Sequence, residues 1–267
     1  MSSSADASTV VRMSLHQFKY DLRAFMRNRQ SQFFTLALPI LFLVIFASVF
    51  GGADHTVRVA GGRIKTSISY VPGIMTLGII AAAFVNLVIS VTAQRESGVL
   101  KRRRATPVPA SAIIGGRALT AVLTALAIAA VLLVLGWAAF GAHIPARTAP
   151  ALAVAVVVGA LSFCCLGYAL ASIIRDQDAA QPVTQAIMLP LYFISGVFIA
   201  TSTLPRWLVN VAGVFPVRHL AAALLKAYNP YTRGSGFAVW DLLIVAAWGV
   251  AGLIIALRRF SWLPLGR

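Results

Sequence analysis

Acid–base and metal chemistry has little to work with in this chain of 267 residues. Seven carboxylates stand at Asp6, Asp21, Asp54, Glu96, Asp176, Asp178 and Asp241, and four imidazoles at His16, His55, His143 and His219. Hydrolysis of phosphate esters at a membrane surface calls for carboxylates gathered around a divalent metal. Only Asp176 and Asp178 stand close together, with Arg175 beside them. That cluster is the feature that points to a membrane-embedded lipid-modifying enzyme; a solvated pair on a loop is the simpler account. The pattern H-E-x-x-H does not occur, and Ser195-Gly196 lacks the G-x-S-x-G frame of a nucleophile elbow. A P-loop requires Gly-Lys before its Ser or Thr. No lysine here follows a glycine, and Gly115-Gly116-Arg117 only echoes the motif. Cys164 and Cys165 are neighbours inside an apolar run, which suits small packing residues rather than a disulfide or a zinc site.

Charge is concentrated elsewhere. The stretch RESGVLKRRRATPVPAS, residues 95–111, carries Lys101, Arg102, Arg103 and Arg104 in succession between long uncharged runs. Such a run serves as a targeting address, a nucleic-acid patch, a membrane-surface anchor or a docking loop. Composition narrows the choice. The chain is 59% hydrophobic and 11% charged, with mean hydropathy +0.85, against about 25% charged in a soluble domain. Its 23 basic and 7 acidic residues give a net charge of +16, which in a soluble protein would indicate nucleic acid. Here the basic residues sit between apolar runs, so a bilayer accounts for them and no nucleic-acid partner is expected.

About 20 apolar residues cross a bilayer as helix. Six segments fit, at about 33–50, 71–93, 112–140, 149–174, 182–200 and 238–257. The first follows a basic segment without a small-residue cleavage site, so it is expected to remain as a span. An even number of spans puts both termini on one side, and the positive-inside rule makes that side the cytoplasm. Cytoplasmic segments then hold about 15 of the basic residues and outer segments about 8, with Arg58, Arg63 and Lys65 as a modest exception. Burying Lys101–Arg104 would cost on the order of 10 kcal/mol. Against an anionic leaflet each cation instead gains roughly 1 kcal/mol, so the run is expected at the membrane surface.

Residues 11–29 place Val11, Leu15, Phe18, Leu22, Phe25 and Met26 on one helical face, with Arg12, His16, Lys19, Arg23 and Arg27 as a second stripe. A basic amphipathic helix just before a span is the pattern of an interfacial helix, with Arg23 and Arg27 at the membrane surface. Residues 201–237 are too apolar for a free loop. Thr203 can cap one short helix, and Pro216 can open another running to about Tyr228. Neither is long enough to span, which suggests a re-entrant helical hairpin before the last span. Polar residues also punctuate the spans. Asn86 and Ser90 form an i,i+4 pair on the second one; such a pair either lines a solute path or holds helices together.

Several local motifs resemble those of the type-2 ABC exporter permeases. Tyr70-Val71-Pro72-Gly73-Ile74 looks like the family's P-G-I opening of the second span. Arg95-Glu96-Ser97-Gly98 followed by Ala105-Thr106-Pro107-Val108 is similar to its R-E-x-G…A-T-P-V loop. Residues 189–198, LPLYFISGVF, resemble P-L-x-F-x-S-G-x-F, and Leu204-Pro205-Arg206-Trp207-Leu208 with Phe215-Pro216-Val217 match later elements. The resemblance, nearest to the daunorubicin-resistance and nodulation-factor exporters, covers most of residues 11–257. It implies an all-α polytopic membrane protein forming a single transmembrane domain over 1–267, in the plasma (inner) membrane. It implies two permease chains, as homodimer or sister pair, driven by two copies of an ATPase subunit that binds ATP and Mg, with no cofactor in this chain. A coupling helix at about 96–104 would dock on that ATPase, with Arg95, Glu96, Gly98 and Leu100 as the coupling residues and the N-terminal helix as connector. Lys101-Arg102-Arg103-Arg104 departs from relatives that carry apolar or acidic residues there. Asn86, Ser90, Ser195 and Phe198 are the expected substrate-path residues. The cargo would be a hydrophobic drug, lipid or glycoconjugate.

Overall fold

The structure is a computed structural model and describes residues 7–27, 29–50, 56–99, 110–141, 143–199 and 201–259. In chain order the main elements are α1 (Ala7–Arg27), α2 (Leu38–Val49), β1 (Thr56–Val59), β2 (Gly62–Lys65), α3 (Thr66–Ile80), α4 (Asn86–Glu96), α5 (Ala110–Phe140), α6 (Ala149–Ile173), α7 (Gln177–Ile194), α8 (Arg206–Ala212), α9 (Pro216–Tyr228) and α10 (Val239–Arg259). Leu100 and Lys101–Arg104 lie outside the described residues, as does most of the expected coupling segment.

Among the described residues, four helices are long and apolar enough to cross a membrane: Thr66–Glu96, Ile114–Phe140, Ala146–Ile173 and Val239–Arg259. The pair α8–α9, bent by 100°, makes a fifth if it is one broken span. The first and fifth expected spans fall short by this measure. The first is the shorter apolar helix Thr35–Val49. The fifth corresponds to α7, which has 18 residues, but Gln177, Asp178, Gln181 and Gln185 dilute the hydropathy of its first half. The second span is longer than its apolar run, because α3 continues into α4 through a π turn at Ala81–Val85, where the Asn86 N–H donates to the Ala81 carbonyl. This brings Thr66 and Arg95 into one rod 31 residues long.

A second π turn, Phe33–Ala37, precedes α2. Its cause is legible in the chain. Pro39 has no N–H to return to the Thr35 carbonyl, so the helix cannot close its ordinary i→i−4 bond there. The two π turns meet, and Asn86 Nδ2 donates to Thr35 Oγ1 at 2.6 Å.

The fold is not wholly helical. β1 and β2 pair antiparallel, Thr56 with Lys65 through Val59 with Gly62, around a turn at Ala60 and Gly61. Thr-Val-Arg-Val alternates polar and β-branched residues, the pattern of a strand with one face covered. The cover is the segment after α9: Tyr231 packs over Gly61 and Gly62, and Asn229 Nδ2 donates to the Ala60 carbonyl at 2.8 Å.

α1 packs along the start of α5. A Cβ at Gly115 would meet Ser14 Oγ at 2.9 Å, and one at Gly116 would meet Gln17 Cβ at 2.8 Å. The glycine pair is therefore the seat of the N-terminal helix. Leu15 and Met26, from its apolar stripe, stay exposed, as residues turned to lipid would be, while Tyr20 lies on the basic stripe against His16. Arg23 and Arg27 are exposed, with the Arg23 guanidinium 5.8 Å above the Tyr20 ring. α10 lies along α6, Gly249 against Ser162 and Gly252 against Leu166. The two helices run the same way, so Arg258 and Arg259 finish at the Arg95 end of the bundle.

Candidate functional site

Two places on opposite ends of the bundle gather the residues singled out by sequence. The first is the end of α4. Arg95 is 2% exposed, and its guanidinium donates to three backbone carbonyls in and just past the last turn of α6: Ala171 at 2.8 Å, Ile174, and Arg175 at 3.2 Å. The next residue turns the other way. The Glu96 carboxylate accepts from the Gln177 N–H at 3.0 Å, at the start of α7. A helix leaves carbonyls unmet at its C-terminus and N–H groups unmet at its N-terminus, with partial charges to match. The Arg–Glu dipeptide therefore complements both ends of the α6–α7 junction at once, cation to carbonyls and anion to amides.

This placement adds to what sequence says of two groups of residues. The Arg95 side chain is held inside the chain rather than offered on a loop surface. Asp176 and Asp178 also have a structural use: Asp176 caps α7, its carboxylate accepting from the Asp178 N–H at 2.9 Å. Beyond Glu96 the chain turns through Ser97 and Gly98, whose φ of +73° is a left-handed conformation that glycine adopts without strain.

Asn86 and Ser90 reach different helices. Asn86 bonds to Thr35 on the first apolar helix, as above. Ser90 Oγ accepts from Arg117 Nη2 at 2.9 Å and from Gln94 Nε2 at 3.0 Å. Arg117 in turn reaches Asp21 on α1, Nε to Oδ2 at 3.5 Å, and Asp21 accepts from Gln17 at 3.1 Å. A polar chain thus links α1, α5 and α4 within the otherwise apolar bundle. Both residues hold helices together in the described chain.

The second place is a cavity of about 160 Å³ at the opposite end, between β1, the first turns of α3, the segment after α7, and α9. Ser195 and Phe198 both line it. Gly196 turns the chain with φ +87°, and Val197 then lies so close to α3 that a Cβ on Gly73 would come within 2.4 Å of its carbonyl oxygen. The P-G-I and S-G-x-F motifs are therefore two halves of one contact. Phe198 is the hub of an aromatic cluster, stacked on Phe46 at 5.2 Å and edge-on to Phe42 at 5.7 Å, with Tyr192 and Phe193 beside it. Arg58 and Arg218 complete the lining on the polar side.

The chain matches the ABC-2 type transporter family over residues 16–229, a stretch that runs from α1 through α9 and contains both places. The chain belongs to that family. It is similar to the daunorubicin resistance ABC transporter permease protein DrrB1 of Streptomyces coeruleorubidus, 27% identical over 212 residues, 78% of this chain and 70% of that protein. It is also similar to the probable multidrug ABC transporter permease YbhR of Escherichia coli, 26% identical over 162 residues, 60% of this chain and 44% of that protein. The chain thus spans most of the first relative and less than half of the second. As an ABC-2 family member it is a multi-pass membrane subunit of a transporter. Within this family member, sequence reasoning missed the role of Gly115-Gly116 and the inward use of Arg95. The signal for the first was present: two small residues beginning a span mark a close helix approach.

Proposed function

We propose that this chain is the permease subunit of an ATP-driven exporter that moves a hydrophobic drug, lipid or glycoconjugate out of the cytoplasm or inner leaflet. It works as a pair of permease chains with two copies of a separate ATPase, which holds ATP and Mg. In this reading α2 and α7 complete six spans in the inner membrane, α8–α9 form the re-entrant hairpin, and both termini are cytoplasmic. The names of the two relatives support the drug class. The observation that carries the coupling is the Arg95–Glu96 clamp. It fuses the end of the second span to the α6–α7 junction, so a push on the following loop moves three helices as one body rather than bending a tether. Arg95 is a positioning residue in this scheme. Glu96, Gly98 and Leu100 face the ATPase, and Lys101–Arg104 with Arg23 and Arg27 hold the loop and α1 against anionic lipid.

The test is co-purification of the full chain with its ATPase and drug-stimulated hydrolysis in proteoliposomes. Deletion of 96–104 is expected to abolish both. Association and transport that survive the deletion would overturn the loop assignment.

A further inference from the structure

The cavity at the Ser195 end has the make-up of an anion site. Among the described residues that line it, Arg58 and Arg218 are cations and none is a carboxylate. Among the described residues neither arginine is in an ion pair. Arg218 Nη1 donates to the Val209 carbonyl, and among the described residues the rest of its fork has no partner. Ser195 is 1% exposed, and its Oγ has no hydrogen-bond partner. A buried hydroxyl in that state is uncommon, because burial strips its water without replacing the bond. The first turn of α3 lies on the same cavity through Thr66 and Ser69, and its N-cap, Lys65, supplies no side-chain bond. That helix end therefore presents N–H groups and the positive end of the dipole.

The depth of the cavity points to the ligand. Trp137, Trp207, Trp240 and Tyr231 are all exposed on elements at this end of the bundle. Exposed aromatics gather at the headgroup level of a bilayer, where phosphate esters lie. The volume of about 160 Å³ is well beyond the roughly 10–15 Å³ that one water requires. Tyr70, Phe198 and Leu225 supply an apolar wall for the carbon skeleton that carries the charge.

We propose that this cavity binds the phosphate headgroup of an anionic amphiphile. Arg58 and Arg218 pair with its charge and Ser195 Oγ donates to one of its oxygens. The site is independent of ATPase coupling, so the test uses this chain alone.

The full chain, purified in maltoside detergent, is titrated by native mass spectrometry with short-chain phosphatidic acid, short-chain phosphatidylcholine and inorganic phosphate. Phosphatidic acid is expected to bind about ten-fold more tightly than phosphatidylcholine. Ser195→Ala removes an atom without a partner, and Arg58→Gln alters an exposed strand position, so both variants keep their fold. Each is expected to weaken phosphatidic acid by about ten-fold and to leave phosphatidylcholine unchanged. Competition by inorganic phosphate at similar concentration would assign the site to the free oxyanion; no competition would assign it to the lipid-borne group. Equal binding of the two lipids, or unaltered phosphatidic acid binding in both variants, overturns the proposal.

Discussion

Replacing Arg95 by alanine tests the clamp most directly. The side chain is buried, and its guanidinium meets three carbonyls at the end of α6. Hydrogen bonds to a charged group contribute about 1.5–3 kcal/mol each. The three share one cation and the Arg175 contact is long at 3.2 Å, so simple addition overstates the total. Losing the cation leaves the carbonyls short of a donor, at about 1–3 kcal/mol for each that water does not reach, and we expect Arg95→Ala to cost about 3–5 kcal/mol in all. For a chain of this size that corresponds to a fall in Tm on the order of 10 °C. Arg95→Lys keeps the charge but cannot fork to separated carbonyls, so it recovers about half of the loss. Arg175→Ala is the control, since only the Arg175 backbone takes part, and its Tm is expected to stay within about 2 °C of the parent. The readout is thermal unfolding of the detergent-solubilised chain, followed by tryptophan fluorescence. An Arg95→Ala chain that melts with the Arg175→Ala control would show that these carbonyls do not depend on the guanidinium, and the clamp would fail as an explanation.

Three further outcomes follow from close approaches. Gly73→Ala would set a methyl 2.4 Å from the Val197 carbonyl; backbone must move, at about 1–3 kcal/mol, and a cysteine at Ser195 should label faster with a thiol reagent in that background. Gly116→Val is expected to unseat α1, seen as trypsin cleavage at Arg23 or Arg27 of the full chain under conditions where the parent resists. Asn86→Ala removes the bond to Thr35 between the two π turns and should destabilise by about 0.6–2 kcal/mol, read in the same melting assay.

Legibility followed the range of the forces. The apolar runs at 112–140, 149–174 and 238–257 became α5, α6 and α10 to within a few residues, because helix formation in an apolar run is decided by neighbours along the chain. Pro216 opened α9 as its fixed φ and missing N–H allow. α8 starts at Arg206, with Pro205 rather than Thr203 at its N-cap position. The β-hairpin escaped notice because its strands are four residues each and depend on Tyr231 and Asn229, far along the chain. For the site residues, type was visible and partner was not. Ser195 and Phe198 were singled out, and the structure brings them to one cavity with Arg58 and Arg218. Asn86 and Ser90 were singled out as a pair, and each found a different helix.

By itself the sequence determined that this chain belongs in a bilayer, which segments are apolar enough to be helices there, and which short motifs relate it to the ABC-2 family. Hydropathy and proline are properties of a residue and its neighbours, so they survive without a fold. Only the tertiary structure decided what the charged and small residues do. Arg95 and the carbonyl of Ala171 are separated by 76 positions, and Gly73 meets Val197 from the segment after α7. An arginine's use depends on which helix end comes within reach of its fork, and a glycine's on which backbone is pressed against it. Those are facts of three-dimensional packing, and no local pattern contains them.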